Sequence, residues 1–149
     1  MTTHNWQHIK PIILFVRHIG ERVQQIIFIS RAELSELWLG VTTALWGAWL
    51  MLPAKSFETA SSFTLMGRIA NEDVWGMIAC IIGMAKVIAV IQGNVRWRKL
   101  IALCGVSFWI MVVVPSAIAC PFSPGTINYS SLLALNMLIF FNLSWKEQR

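Results

Sequence analysis

Charged side chains are scarce in this sequence: Asp, Glu, Lys and Arg make up 13% of the 149 residues, against roughly 25% in an ordinary soluble domain. With 56% of the chain hydrophobic, a compact body this small has too much surface for so few charges to cover. A soluble monomer is thereby excluded. Disorder is excluded for the converse reason, because it requires low hydrophobicity and high charge. Tyrosine is nearly absent, with one residue beside eight Trp and eight Phe, a balance that points towards lipid. Cysteine is also sparse. Cys80, Cys104 and Cys120 have no C-x-x-C spacing, which excludes a disulfide framework and a cysteine zinc site. No H-E-x-x-H, G-x-S-x-G, phosphate loop or nucleotide fingerprint is present, so neither an enzyme nor a cofactor is expected. His4 and His8 stand four apart but lack acidic or Cys partners, and no metal site is expected there. The apolar run at 12–16 is too short for the core of a cleaved signal peptide.

The abundant feature is long apolar runs. Crossing a bilayer takes about 20 helical residues, and four stretches approach that length: 37–53, 74–91, 100–119 and 127–145. Backbone polar groups in lipid must be satisfied within their own segment, so these stretches are expected to be helices. Pro53, Gly93-Asn94 and the cluster from Pro121 to Gly125 punctuate their ends. The expected fold is all-α: a polytopic membrane protein with a four-helix transmembrane bundle over 31–149 and a separate N-terminal segment over 1–30.

The net charge of +5 is explained by where the cations stand. Lys10, Arg17, Arg22 and Arg31 precede the first span, Arg96, Arg98 and Lys99 lie between the second and third, and Lys146 and Arg149 follow the fourth. Only Lys55 and Arg68 lie on the other side. Such a split places both termini in the cytoplasm and leaves no single basic patch for nucleic acid. Trp38, Trp97 and Trp145 at the inner boundaries and Trp49 and Trp75 at the outer ones suit an aromatic belt.

The N-terminal segment has a different pattern. At 100° per residue, Ile12, Phe15, Val16, Ile19, Val23, Ile26 and Ile27 gather within about 60° of one line, with Arg17 and Glu21 opposite. Pro11 suits a first helical position. An amphipathic helix lying in the inner headgroup region is expected, as an anchor or as a partner-binding or self-association element. Ser30 and Glu33 form an S-x-x-E box that restarts a helix into the first span. The outer loop, 54–73, has room for a short surface helix. Asn71, Glu72 and Asp73 suit the positive N-terminus of the second span.

Lys86 is the one ionisable residue deep in a span, which makes it the principal functional candidate. Thr42, Thr43, Ser107, Asn136 and Asn142 are its candidate partners, as pore lining or as a polar cluster; Glu33 and Glu36 are placed to act on it electrostatically. Snorkelling to the inner surface is the third reading, opposed by the lean of helical side chains towards the helix N-terminus, here the outer end. Gly40, Ala44 and Ala48 on the first span, with Ala79 and Gly83 on the second, form small-residue faces for helix packing. Arg96, Arg98 and Lys99 are candidates for acidic lipid headgroups.

From Arg31 onward the chain resembles small, uncharacterised four-span membrane proteins encoded by bacteriophages and prophages. The resemblance rests on Val74-Trp75-Gly76 opening the second span after an acidic cap, and on Arg96 and Arg98 before the third. It implies a bacterial inner-membrane setting and assigns no functional residue. The expected partners are the lipid bilayer and further copies of the chain. The expected function is membrane-permeabilising or channel-like, holin-like if phage-encoded. The alternative is a non-enzymatic membrane scaffold or a phage assembly, genome-delivery or exclusion factor.

Overall fold

A computed structural model of the chain describes residues 20–21, 31–52, 57 and 63–147. The chain divides into two compact units, Met1–Ser35 and Glu36–Arg149. Of the first unit, 20–21 and 31–35 are described. The amphipathic helix expected around 12–27 and the Ser30 cap therefore lie outside the described residues, as do His4 and His8. Among the described residues the structure is helical and contains no strand.

The elements are α1 (Arg31–Leu50), α2 (Thr64–Ile69), α3 (Glu72–Gln92), α4 (Val95–Ala119) and α5 (Pro124–Glu147). Helices α3, α4 and α5 are each long and apolar enough to cross a membrane, which marks the chain as a membrane protein. Helix α1 has 20 residues, but Arg31, Glu33 and Glu36 in its first two turns lower its apolar content.

Local chemistry sets the boundaries. Asn71, in extended conformation, precedes α3, and its carbonyl accepts from Val74 N at 3.1 Å. Glu72 and Asp73 occupy the first turn, where acids complement the dipole. The helix ends at Gly93, whose φ of 71° is left-handed and whose N–H reaches the Ala89 and Val90 carbonyls, a geometry that glycine adopts without Cβ strain. Asn94 then caps α4 by accepting from Arg96 N at 3.0 Å. That cap explains why α4 begins at Val95 and not at the first fully apolar residues near 100. Helix α5 likewise begins earlier than its apolar run. Ser123 Oγ accepts from Thr126 N at 3.1 Å, and Pro124 takes the first helical position, where its missing N–H costs nothing.

Helix α4 is the hub. It packs along α5 over the most extended face, and also against α3 and the short α2. Its C-terminal half joins a core of Leu50, Phe63, Met66, Trp75, Ala79, Phe108, Trp109, Val112 and Tyr129. The rings of Trp46 and Trp109 lie 5.5 Å apart, and those of Trp46 and Tyr129 5.8 Å apart in edge-to-face contact, a separation aromatic pairs favour. The short helix expected in the 54–73 loop is present as α2, at the surface, with Thr64, Gly67, Arg68 and Ile69 exposed and Met66 turned inward and fully buried. One expectation is corrected here. Trp75 is buried too, and not a lipid-facing belt residue, because its Nε1 donates to the Met66 carbonyl at 3.2 Å and so needs no interfacial water. Trp38, Trp97 and Trp145 are exposed.

Helices α1 and α3 meet through glycine. A Cβ added at Gly83 would stand 2.5 Å from Ala44 N and 2.6 Å from Gly40 O, and one at Gly47 would stand 2.5 Å from Gly76 O. Both obstacles are backbone, which no side-chain rotation clears. Gly40, Ala44, Ala79 and Gly83 thus stand at this crossing. Ala48 does not: it is exposed, and its neighbour Gly47, turned 100° around the helix, takes the buried position. Gly83→Ala or Gly47→Ala should lower stability by about 1–3 kcal/mol through forced backbone displacement, measured by unfolding in mild detergent. Ala48→Val, on the exposed face, should change it by less than about 0.5 kcal/mol. A Gly83→Ala protein as stable as the parent would contradict the close approach.

Candidate functional site

Lys86 stands six residues before the end of α3, about 9 Å along the axis at 1.5 Å per residue. Its side chain leans towards the helix N-terminus, as helical side chains do, which carries the ammonium deeper into the bundle. There Nζ donates to Asn136 Oδ1, and the pair is buried. Asn136 lies eleven residues before the end of α5, about 16 Å along that axis. Its amide is held from behind, Nδ2 donating to the Leu132 carbonyl at 2.9 Å. Gly105 of α4 provides the space: a Cβ there would approach Asn136 Oδ1 to 2.7 Å and Lys86 Nζ to 3.1 Å. Three helices therefore contribute one residue each to a polar centre within an otherwise apolar span region.

A second polar contact lies nearer the α1 and α4 N-termini. Arg98 Nε donates to Glu36 Oε2 at 2.9 Å, and Nη2 to Oε1 at 2.7 Å. This bidentate geometry suits a planar guanidinium facing a carboxylate, and the side chains are only 4% and 6% exposed. Glu36 also acts electrostatically on Lys86. Among the described residues the buried charged side chains are Glu36, Lys86 and Arg98, and the carboxylate is bonded to Arg98. Further out, Lys99 Nζ contacts Glu147 at 2.7 Å, and Arg96 Nε approaches the same carboxylate at 3.9 Å with its own side chain 88% exposed. Such exposed pairs add little stability.

Of the residues proposed around Lys86, the structure brings Asn136 to it. Thr43 is buried but bonded locally, Oγ1 donating to the Leu39 carbonyl at 2.7 Å. Thr42 is half-buried, and Ser107 and Asn142 are exposed on the perimeter. Snorkelling is overturned for Lys86, since its nitrogen is engaged with Asn136 inside the bundle. Arg98 is corrected as a headgroup ligand, because Glu36 withdraws its guanidinium from the surface. Arg96 is exposed and Lys99 half-buried. Sequence reasoning missed the pairing of Arg98 with Glu36 and the role of Gly105. The available signal was two opposite charges at similar depth from one membrane face, on different helices.

The arrangement has polar and charged groups but no nucleophile with a base. Among the described residues no three His, Cys, Asp or Glu side chains converge on a metal-sized site. Cys80 Sγ donates to the Ala44 carbonyl at 3.3 Å as part of the helix crossing. No protein-family model, curated protein or solved structure matches the chain.

Glu36→Gln leaves Arg98 and Lys86 buried without their carboxylate, and should destabilise by about 3–5 kcal/mol. Arg98→Gln should cost less, because Lys86 then remains as counter-charge to Glu36. The Glu36→Gln/Arg98→Gln double variant should recover part of the loss, a coupling that a double-mutant cycle in detergent measures directly. Additive single effects would show that the pair is not coupled.

Proposed function

We propose that the chain is a four-pass protein of a bacterial inner membrane, of the phage or prophage kind, with both ends in the cytoplasm. It assembles as a homo-oligomer and works as a channel-like, membrane-permeabilising protein, holin-like if phage-encoded. The fourth pass is α1. Its 20 residues give about 30 Å, the thickness of the hydrocarbon core. The polar residues that lower its apolar content point inward, Glu36 to Arg98 and Thr43 to its own backbone. Its exposed face carries Trp38, Val41, Leu45, Ala48 and Trp49, so lipid meets apolar side chains. Four passes bring the Arg98 and Lys99 level to the same face as the chain's other inner cations, in keeping with the positive-inside rule.

The observation that carries the channel-like reading is Lys86. A charge held near the depth of the bilayer centre is costly and marks ion pathways in membrane proteins. Glu36 and Arg98 form a second buried polar pair, nearer the N-termini of α1 and α4. Self-association is supported by Ser107 and Asn142 on the perimeter, since polar side chains facing lipid find partners on neighbouring helices. A scaffold role is the second reading. It is favoured by the outer half of the bundle, where Trp46, Phe108, Trp109 and Tyr129 fill the space above Lys86.

Inducible expression with a membrane-potential dye separates the two. Abrupt depolarisation is expected for the channel-like protein, and Lys86→Met should then assemble normally while altering conductance or ion preference. An intact potential throughout expression would favour the scaffold. Topology is tested independently: a cysteine replacing Arg96 should resist impermeant thiol reagents applied outside intact cells, and labelling there would overturn the orientation.

A further inference from the structure

A groove of about 270 Å³ runs between α3 and α4 next to their connecting turn, lined by Ala85, Ile88, Ala89, Gln92, Trp97 and Ile101. It exists because Ala85 and Ala89 set only methyl groups opposite the larger Trp97 and Ile101. From Gln92 to Ala85 it extends seven residues along α3, about 10 Å into the hydrocarbon if α3 stands across the bilayer. The floor is aliphatic. The donors are at the end nearest the turn, where Gln92 and Trp97 are both exposed.

The charge around this end is uneven. Glu36 engages Arg98, and Glu147 engages Lys99. Arg96, beside Trp97, is held only loosely at 3.9 Å from Glu147 and is 88% exposed. The groove thus has an aliphatic floor, Gln92 and Trp97 at its mouth, and an exposed guanidinium next to them. A second groove, lined by Ile69, Trp75, Ile110, Met111, Val114 and Pro115, lacks this polarity. Its one indole N–H is already given to the Met66 carbonyl, and no amide side chain lines it.

We propose that the α3–α4 groove is a binding site for one anionic phospholipid, with the headgroup over Arg96, Gln92 and Trp97 and one acyl chain laid along Ala89 and Ala85. The proposal rests on the membrane-spanning reading of α3 and α4. A phosphodiester supplies a closer negative charge than the Glu147 carboxylate at 3.9 Å, and aliphatic carbon fills the floor without leaving a polar group unsatisfied. Juxtamembrane cations of this kind favour anionic lipid by about 1 kcal/mol each, which is about fivefold in affinity.

The test uses the full chain in mild detergent. Phosphatidylglycerol and phosphatidylcholine with identical acyl chains are titrated separately, with bound lipid counted by native mass spectrometry and stability read from thermal unfolding. One phosphatidylglycerol should bind about fivefold more tightly than phosphatidylcholine. Arg96→Gln should remove that preference, and Ala85→Phe, which fills the floor, should weaken both lipids. Val114→Phe in the outer groove should leave the preference unchanged. Equal binding of the two lipids by the parent, an undiminished preference in Arg96→Gln, or undiminished affinity for both lipids in Ala85→Phe, would overturn the site. Stabilisation by glycerol 1-phosphate equal to that by the lipid would also overturn it, in favour of a free phosphate site. Failure of the membrane-spanning reading itself would appear separately, as release of the protein from membranes by alkaline carbonate.

Discussion

The buried Glu36–Arg98 ion pair constrains how the bundle can be assembled. Removing a carboxylate and a guanidinium from water carries a large desolvation cost, recovered only when geometry and hydrogen bonding are good. The Arg98 fork meets that condition with two short bonds, and it ties α1 to α4. Lys86 is bonded to Asn136, which ties α3 to α5. Shifting any of these helices along its axis by one turn would strand a charge in an apolar interior. The register of the whole bundle follows from that.

Between lipid-exposed helices there is no hydrophobic driving force, so close packing has to hold them together. The structure solves this differently at its two levels. Where α1 crosses α3, glycine removes the side chains and backbone meets backbone. Around the C-terminal half of α4, Trp46, Phe108, Trp109 and Tyr129 fill a wider space with rings, and α2 inserts Met66 to complete it. Gly105 belongs to neither class. It clears room on α4 for the Lys86–Asn136 pair and is the reason a lysine fits where helices are closely packed.

Much of this was legible in the residues. Lys86 stood out because a lone cation in an apolar run has no cheap structural explanation, and Asn136 was among its possible partners because it lies at a compatible depth. The lean of helical side chains already argued against escape to the inner surface. Gly40, Ala44, Ala79 and Gly83 followed from their spacing. Ala48 and Gly47 were not separable in that way, since both are small and adjacent, and only the crossing geometry selects between them. Trp75 read as an interfacial residue because its position fits a belt, while its actual environment depends on a carbonyl of α2.

Composition and the length of the apolar runs determined that this chain is helical and built for a membrane, because lipid leaves an unpaired backbone no alternative. Cap residues such as Asn94 and Gly93 marked the turn between α3 and α4 for equally local reasons. Tertiary structure decided which charges meet. Arg98 and Glu36 are 62 positions apart, and Lys86 and Asn136 are 50 apart. Nothing in either neighbourhood specifies the other. That choice is made by the rotation of each helix about its axis, set by the glycine contacts on one side and the aromatic filling on the other.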